Sequence, residues 1–343
     1  MARPAATRPG NSGQAVNVSI IIPCLNEERN IRPCLESLAS QDYPGDFEII
    51  VVDNGSDDKT REIVGDLSNS HPRIRLVLEP EKGTASARNA GVRSAAHDFL
   101  AFVDADCESP GGWLSTLVRG YEAAKIRDPG IIAVGGRNIA PGDAGPFVRA
   151  IEIALDSYIG SYVSIQGRQY PRAVLVSNLS MSNALFEKEK IVEVGGFDES
   201  LRSEAEDADI NFRLAEAGYR FLFIPESFVW HRLRSSPRLW LKNMFRYGKG
   251  RTRLLKRHPK MWTVHFALPL VFILAMGSIP LALLSKLFLL PLVYFPLIFC
   301  LSLIQAARKS EPSLFGRVAA AYVLLHFGYA AGELYGLLNP KVR

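Results

Sequence analysis

Cysteine is scarce in this chain of 343 residues, and none of its four cysteines lies in a CxxC pair. They are Cys24, Cys34, Cys107 and Cys300. The sequence therefore does not indicate a disulfide framework or a zinc cluster, and reduced thiols are the simpler interpretation. The first 16 residues also lack an apolar run, so we predict a flexible tail over 1–16 rather than a signal peptide. Hydrophobic residues make up 48% of the chain, which excludes a disordered protein.

Acidic residues are absent from positions 232–260, where eleven Lys or Arg stand. The remainder of the chain carries 29 basic and 35 acidic residues, so the pI near 9.0 comes from this one stretch. Charge is also nearly missing from 264–305, where Lys286 is the one charged residue in 42 positions. A basic run followed by a long apolar run is typical of a soluble domain attached to a membrane.

Three apolar stretches reach the length that a bilayer requires. They are Val264–Leu284, Leu287–Gln305 and Val318–Leu338. Because basic residues precede the first stretch and follow the second, the positive-inside rule places the soluble domain in the cytoplasm. We predict a multi-pass protein of the plasma (inner) membrane, with a basic interfacial segment over 232–262 and about three transmembrane helices within 263–340. A buried hydrophobic helical domain is the alternative.

Short β-rich runs alternate with helical patterns in the first part of the chain. The predicted strands are Val18–Pro23, Phe47–Val52, Ile74–Leu78, Phe99–Val103, Ile131–Val134, Ala173–Val176 and Phe221–Ile224. The predicted helices are Glu28–Ala39, Asp58–Leu67, Thr84–Ala95, Trp113–Ala124, Phe147–Val163, Lys188–Val194 and Asp207–Ala217. Apolar runs spaced by helices indicate a mostly parallel sheet covered on both faces. We predict a Rossmann-like α/β domain over 17–231, with ligands at the carboxyl ends of its strands.

Two carboxylates follow the fourth predicted strand. Asp104 and Asp106 flank Ala105, and alternate residues at a strand end can both reach one ligand if the chain turns there. Such a pair can hold Mg²⁺ or Mn²⁺ against a diphosphate, where the cation neutralises a departing nucleotide. His231, after the last predicted strand, is a candidate third ligand. A solvated loop and a structural histidine are the alternatives.

Asp53 ends the second predicted strand, where a carboxylate can accept hydrogen bonds from a base or a ribose. The alternative is an Asx turn that caps the next helix. Since Asp57 or Asp58 is the better cap, we expect Asp53 to stay free for a ligand.

The segment KGTASARNAG opens the third helix with small residues and two cations, Lys82 and Arg88. Small side chains permit close approach of another group, so Arg88 is a candidate to face a nucleotide cleft. A Gly-rich turn followed by a tightly packed helix explains the same pattern equally well.

Four acids stand within positions 204–209, before an amphipathic helix. Clustered like charges raise the pKa of at least one carboxyl group, and a carboxylate held beside a substrate hydroxyl is what a general base requires. The alternative is a capped helix start whose acids face the N-terminal dipole. Arg246 lies in the basic stretch, where attraction to lipid headgroups explains most of the cations.

Taken together, these motifs resemble family-2 glycosyltransferases with a GT-A fold, over about Val18 to Gly250. VSIIIPCLNEE, EIIVVDNGSDD, KGTASARNAG, FVDAD and GGFDESLRSEAEDADINFRLAEAGYR follow one another in the family's order. The resemblance implies that the pair Glu206 and Asp207 is catalytic, with Asp207 as the base. The metal ligands that it implies are Asp104, Asp106 and His231. The nucleotide-sugar-binding residues that it implies are Pro23, Asn26, Glu27, Asp53, Lys82, Arg88, Asp104 and Arg246.

The resemblance implies an inverting glycosyltransferase that moves a sugar from a nucleotide-diphosphate sugar, with UDP-sugar as the favoured donor. The implied acceptor is a hydroxyl of a lipid-linked glycan or polysaccharide, the cofactor is Mg²⁺ or Mn²⁺, and no nucleic acid is indicated as a partner. Processive members carry QxxRW, of which Arg246 and the aromatic Tyr247 remain, so addition of single sugars in exopolysaccharide or cell-envelope assembly fits better. The alternatives are a polyprenyl-phosphate glycosyl synthase and a non-catalytic nucleotide-sugar-binding membrane subunit.

Overall fold

The computed structural model describes residues 16–161, 170–233 and 236–339, so the predicted tail lies outside the described residues except for its last position. The strands are β1 Val18–Cys24, β2 Phe47–Asp53, β3 Ile74–Leu78, β4 Phe99–Phe102, β5 Cys107–Glu108, β6 Ile131–Ile139, β7 Val174–Val176, β8 Ala184–Glu187 and β9 Arg220–His231. The helices are α1 Ile31–Ala39, α2 Thr60–Ser70, α3 Thr84–Ser94, α4 Trp113–Arg127, α5 Pro146–Leu155, α6 Tyr158–Ser161, α7 Lys188–Glu193, α8 Glu206–Glu216, α9 Pro237–Arg257, α10 Val264–Gly277, α11 Tyr294–Arg308 and α12 Phe315–Leu338.

One mixed sheet contains the nine described strands, in the order β3-β2-β1-β4-β8-β6-β9-β5, with β7 beside β9. β1 pairs in parallel with β2 and β4, and β2 pairs in parallel with β3. One face of the sheet packs against α1, α2 and α4, and the other packs against α3, α7 and α8. The predicted α/β architecture is confirmed. Because β1 and β4 are parallel neighbours, the loops at their carboxyl ends lie side by side.

Three short strands depart from the predicted, mostly parallel arrangement. β8 pairs antiparallel with β4 and β6, and both β5 and β7 pair antiparallel with β9. β8 and β5 were not predicted, because runs of four and two residues carry too little periodic signal. The predicted strand Phe221–Ile224 is longer in the structure and forms β9, Arg220–His231. His231 is therefore the last residue of β9, where this strand pairs with β5. The predicted helix Phe147–Val163 is interrupted after Leu155.

Within the described residues, two helical stretches rather than the three predicted are long and apolar enough to cross a membrane. They are Lys286–Arg308 and Pro312–Leu338. The first predicted span, Val264–Leu284, breaks after Gly277, and Pro280 lies in the 3₁₀ turn that follows. Its α-helix has 14 residues. At about 1.5 Å per residue this helix is ~21 Å long, short of the roughly 30 Å hydrocarbon core.

The predicted interfacial segment contains α9, which docks on α12. The two helices approach each other closely at glycines. A Cβ atom on Gly248 would lie 2.0 Å from the carbonyl oxygen of Tyr329, and one on Gly332 would lie 2.0 Å from that of Phe245. Larger side chains would therefore force the two helices apart. This docking determines which face of α9 reaches the sheet domain.

Candidate active site

The acids after β4 and the histidine at the end of β9 meet at one edge of the sheet. The backbone N–H of Cys107 donates to the carbonyl oxygen of Asp104 (3.0 Å) and closes a turn. Beyond the turn, β5 pairs with β9 and sets Cys107 opposite His231. Nε2 of His231 lies 3.3 Å from Oδ1 of Asp106. Strand pairing thus brings the predicted metal ligands Asp106 and His231 together.

Negative charge dominates this cluster. Burial opposes the charged imidazole of His231, but the negative charges of Asp106, Asp104 and Glu27 together outweigh that effect and raise the pKa of His231. Burial also raises the pKa of Asp104, which Arg88 opposes and Asp106 reinforces. A bound divalent cation would relieve the repulsion among these carboxylates.

Arg88 links this cluster to the acidic segment, defined here as residues 198–209. Its Nη1 donates to Oε1 of Glu206 (2.8 Å), and its Nη2 donates to Oδ1 of Asp104 (3.2 Å). The side chain of Arg88 is 5% exposed. Two carboxylates pair with its guanidinium inside the protein, and Arg88 joins the acids after β4 to those at the start of α8. A role of Arg88 toward the nucleotide stays a prediction.

The rest of the KGTASARNAG segment also holds the acidic segment. Nδ2 of Asn89 donates to the carbonyl oxygen of Phe197 (2.8 Å), directly before the acidic segment, and to Oε1 of Glu199 (2.8 Å) within it. The N–H of Ala85 donates to the carbonyl oxygen of Arg202 (2.9 Å). A Cβ on Gly83 (φ +140°) would lie 2.8 Å from Cα of Arg202. Glycine is needed here for both its φ and the close approach.

The predicted catalytic pair stands at the start of α8. Ala205, with φ 65°, precedes the helix, whose first turn contains Glu206 and Asp207. Burial raises the pKa of Glu206 to about 7, an effect that Arg88 opposes and Asp207 reinforces. Asp207 is half-buried, and its charge also acts on Arg88. The acid predicted to be the base therefore shares the electrostatic environment of Arg88 and Asp104.

Asp53 ends β2, but its carboxylate is already engaged. It accepts hydrogen bonds from the N–H groups of Gly55 (3.1 Å) and Ser56 (3.2 Å) and from Nε of Arg61 (2.6 Å). Burial opposes ionisation, yet these hydrogen bonds lower the pKa of Asp53. Its side chain is 0% exposed. The expectation that Asp53 stays free for a ligand is wrong, and the alternative Asx turn forms.

The other predicted donor-binding residues lie in or after the neighbouring strands. Pro23 is half-buried near the end of β1. Asn26, with φ 58°, accepts a hydrogen bond from the N–H of Asp57 (2.9 Å) and so ties the first two loops together. Lys82 is exposed, and its Cε lies 3.9 Å from where a Cβ on Gly55 would stand. The donor-binding roles of these residues stay predictions.

α9 brings two further residues to the site. Arg246 is exposed, and its guanidinium carbon lies 5.8 Å from the ring centroid of Tyr247. Desolvation of the phenol raises the pKa of Tyr247, with Arg246 opposing and with Asp207 and Asp104 adding to the shift, although the residue is 45% exposed. Tyr247 was not predicted as a site residue. The available signal was an aromatic residue directly after Arg246.

The basic face of α9 meets the acidic segment. Nζ of Lys249 lies 2.7 Å from Oε1 of Glu204, and Nη1 of Arg253 lies 3.4 Å from Oε2 of Glu204. Arg257 pairs with Asp198 in the same segment. Attraction to lipid headgroups, the explanation preferred for most of the basic stretch, is wrong for these three cations. The acidic segment therefore lies between α3 and α9 and forms ion pairs with both helices.

The donor atoms at the sheet edge fit a hard divalent cation. Asp104 and Asp106 supply carboxylate oxygens and His231 supplies an imidazole nitrogen, a set that Mg²⁺ and Mn²⁺ accept. The separation of 3.3 Å between Asp106 and His231 is close to that of adjacent octahedral ligands, about 3 Å for bonds of about 2.1 Å. The side chain of Asp104 stays 33% exposed beside Arg88. Asp106 and His231 already have their donor atoms together, whereas the carboxylate of Asp104 pairs with Arg88, so its role as a metal ligand stays a prediction.

Known proteins share this sequence pattern and fold. Residues 19–195 match the model for Glycosyl transferase family 2, and residues 154–332 match that for Glycosyl transferase family group 2. Glycosyltransferase AglE of Haloferax volcanii is 32% identical, over 69% of this chain and 73% of AglE. Succinoglycan biosynthesis protein ExoA of Rhizobium meliloti is 29% identical, over 94% of this chain and 96% of ExoA. Mannosyltransferase PcManGT from Pyrobaculum calidifontis, solved with GDP-Man and Mn²⁺, has 20% identity and a TM-score of 0.60 over 91% of this chain and 88% of its own, which shows a shared fold.

Proposed function

Because the chain belongs to glycosyl transferase family 2, we propose that it transfers single sugars from a nucleotide-diphosphate sugar to a hydroxyl of a lipid-linked glycan, with inversion at the anomeric carbon. One observation carries this proposal. Arg88 joins Asp104, one of the proposed cation ligands, to Glu206, which is next to the predicted base. Groups suited to the leaving diphosphate and to the acceptor are thereby held in one cluster, as displacement at a single carbon requires.

Asp207 is the proposed general base. Its carboxylate takes the proton of the acceptor hydroxyl while that oxygen bonds to the anomeric carbon. The bond from that carbon to the diphosphate oxygen breaks, and its electron pair leaves with the nucleotide diphosphate. Since the pKa of Glu206 is raised to about 7, a proton on Glu206 reduces the negative charge beside Asp207 near neutral pH.

Charge on the departing diphosphate must be balanced. A divalent cation held by Asp104, Asp106 and His231 would supply positive charge to the diphosphate as a Lewis acid. Arg246, exposed on α9, adds positive charge from the solvent side. The ring of Tyr247 is 45% exposed and offers an apolar surface to one face of a sugar.

The acceptor is assigned to the membrane because α9 carries part of the site and packs on α12, which lies within one of the two long apolar stretches. The two long apolar stretches and the basic residues of α9 support our proposal of a multi-pass protein of the plasma (inner) membrane with a cytoplasmic site. The name of ExoA, a succinoglycan biosynthesis protein, supports a glycan product. The GDP-Man of PcManGT supports a nucleotide-sugar donor, while UDP-sugar is our choice for this chain.

The test is a screen of UDP-, GDP- and TDP-sugars with the purified full chain and membrane lipid extract, with mass spectrometry of the lipid product. Asp207→Asn should abolish the product but keep donor binding, since the base does not hold the nucleotide. Asp106→Ala should lose Mn²⁺-dependent donor binding in calorimetry. Asp66→Asn, an exposed acid on α2, is the control and should retain both properties.

Each contrary outcome points elsewhere. Full turnover by Asp207→Asn overturns the base assignment. Turnover that survives only on a polyprenyl phosphate supports the synthase alternative, because a phosphate nucleophile needs no strong base. Donor binding by the wild type without any product supports a non-catalytic subunit.

A further inference from the structure

The cation site borders on a thiol. β5 and β9 set Cys107 directly opposite His231, so the two side chains leave the sheet on the same face. Sγ of Cys107 lies 4.0 Å from Oδ1 of Asp106, which is itself 3.3 Å from Nε2 of His231. One donor atom from each of these three residues lies within 4.8 Å of the other two.

We propose that Cys107 turns this edge of the sheet into a site for a thiophilic divalent ion, Zn²⁺ or Cd²⁺, bound by Asp106, Cys107 and His231. The proposal goes beyond sugar transfer and does not depend on which sugar is transferred. Binding exchanges the thiol proton of Cys107, released to solvent, for the metal ion, so no oxidant or reductant takes part.

The donor separations suit such an ion. Tetrahedral zinc with bonds of about 2.0–2.3 Å places its ligand atoms about 3.3–3.8 Å apart. The distance from Asp106 to His231 already has this value, and the distance from Asp106 to the sulfur exceeds it by a few tenths of an ångström. The third separation, from the sulfur to the imidazole nitrogen, lies within 4.8 Å, so rotation of the side chains is needed to complete the set, which leaves a fourth position for water or a ligand oxygen.

Ligand chemistry then separates two classes of ion. Mg²⁺ and Mn²⁺ prefer the carboxylate oxygens of Asp104 and Asp106, whereas a thiolate strongly favours Zn²⁺ and Cd²⁺. The two classes share Asp106 and His231, so they cannot occupy the site together. A thiophilic ion should therefore compete with Mn²⁺ and remove Mn²⁺-dependent donor binding.

A buried core cysteine is the competing explanation. Cys107 is 0% exposed and packs in the same cluster as Cys24 and Cys34. Cys34 provides a matched control, because its Sγ lies 3.8 Å from the backbone oxygen of Asp104 and yet it is outside the three-residue donor set. If Cys107 only fills space, the two thiols should behave alike toward metal ions.

The experiment titrates Cd²⁺ into the full chain in detergent and follows heat and the ultraviolet absorbance of cadmium–thiolate bonds. All samples carry Cys300→Ser, because Cys300 is exposed. We expect one tight site with thiolate absorbance. Cys107→Ala should lose that absorbance and bind Cd²⁺ at least about tenfold more weakly, since even an outer partner of a metal ligand is worth that much. Cys34→Ala should bind Cd²⁺ like its parent.

Mn²⁺-dependent donor binding should persist in Cys107→Ala. Low concentrations of Cd²⁺, which inhibit donor binding in the parent protein, should no longer inhibit it in this variant. Unchanged Cd²⁺ affinity and absorbance in Cys107→Ala overturns the proposal, as does equal loss in Cys34→Ala. If Cys107→Ala does not fold, His231→Gln decides, because it keeps the thiol but should weaken Cd²⁺ binding by a similar factor. The absorbance does not require turnover, so a chain that transfers no sugar still yields a clear result.

Discussion

The acidic segment, residues 198–209, is held on its two sides by different kinds of ion pair. On the inner side, Glu206 meets Arg88, and their side chains are 9% and 5% exposed. On the outer side, Glu204 meets Lys249, and their side chains are 18% and 28% exposed. Water can replace a lost partner on the outer side but not on the inner side. The inner contact therefore holds the acids after β4 and those at the start of α8 together, while the outer contact ties the acidic segment to α9.

Arg88→Met should break the inner contact and produce the largest effect. The substitution leaves Glu206 and Asp104 without their shared counter-charge inside the protein. Removing one partner of a buried ion pair costs about 3–5 kcal/mol of unfolding free energy. We also expect sugar transfer to disappear, because the two groups of acids are no longer joined. Denaturant unfolding in detergent and mass spectrometry of the lipid product measure the two effects.

Arg93→Met is the matched control on the same helix. Arg93 is 62% exposed and pairs with Glu79 and Glu199. Its loss should change the unfolding free energy by less than about 1 kcal/mol. Equal losses in the two variants would show that the inner contact resembles an ordinary surface pair and would remove the contrast between the two sides.

The unfolding free energy measured over a range of pH tests the Glu206–Arg88 contact without removing either side chain. Burial raises the pKa of Glu206 from its ordinary value of 4.5 to about 7. Between these values the folded protein binds more protons than the unfolded chain does, so the contribution of Glu206 to the unfolding free energy falls as the pH rises. The fall should end near pH 7 and amount to on the order of 3 kcal/mol, at about 1.4 kcal/mol per pH unit.

Thermal unfolding of wild type and Glu206→Gln across this pH range isolates that contribution as a difference between the two proteins. The wild type should lose stability relative to Glu206→Gln as the pH rises. Glu204→Gln, on the outer side, should follow the wild type. If the stability of the wild type instead rises relative to that of Glu206→Gln as the pH rises, then the effect of Arg88 outweighs burial and the pKa of Glu206 is lowered.

Much of the sheet could be predicted because its strands are apolar on both faces. The predicted strand Phe47–Val52 differs from β2 by one residue, and Asp104 and Asp106 could be assigned from their place after such a run. The antiparallel strand β8 could not, since its four residues, Ala184–Glu187, are too short to show a period. For Asp53, the sequence allowed either a free carboxylate or an Asx turn, and in the structure the N–H groups of Gly55 and Ser56 donate to the carboxylate.

The ion-pair partners of residues that are distant in the sequence could not be predicted. Arg88 and Glu206 are 118 positions apart, and no local pattern pairs them. The same limit applies to Lys249. Its direction depends on the close packing of Gly248 against α12, so a basic helix that resembles a lipid-facing one turns part of its charge inward. Sequence patterns identified the charges but not their partners.

Glu204→Gln should break the outer contact with the smallest loss of stability, about 1 kcal/mol or less, because Lys249 and Arg253 can be solvated. The effect should appear instead in kinetics. Once the tie to α9 is lost, we expect KM for the lipid acceptor to rise severalfold while donor binding stays the same. Raised salt should produce a similar change in the wild type, since screening acts over about 8 Å at physiological ionic strength, and little change in the variant.

Two variants separate charge from geometry on this side. Lys260→Ala removes a more exposed pair with Glu216 at the far end of α8 and should leave the acceptor KM and its salt dependence unaltered. The exchange of Glu204→Lys with Lys249→Glu restores opposite charges at the same contact, and a return of the acceptor KM toward the wild-type value would assign the effect to this pair. An acceptor KM that stays raised in the exchange variant, with normal unfolding, would show that the Glu204–Lys249 pair alone does not account for the effect, because Arg253 also pairs with Glu204.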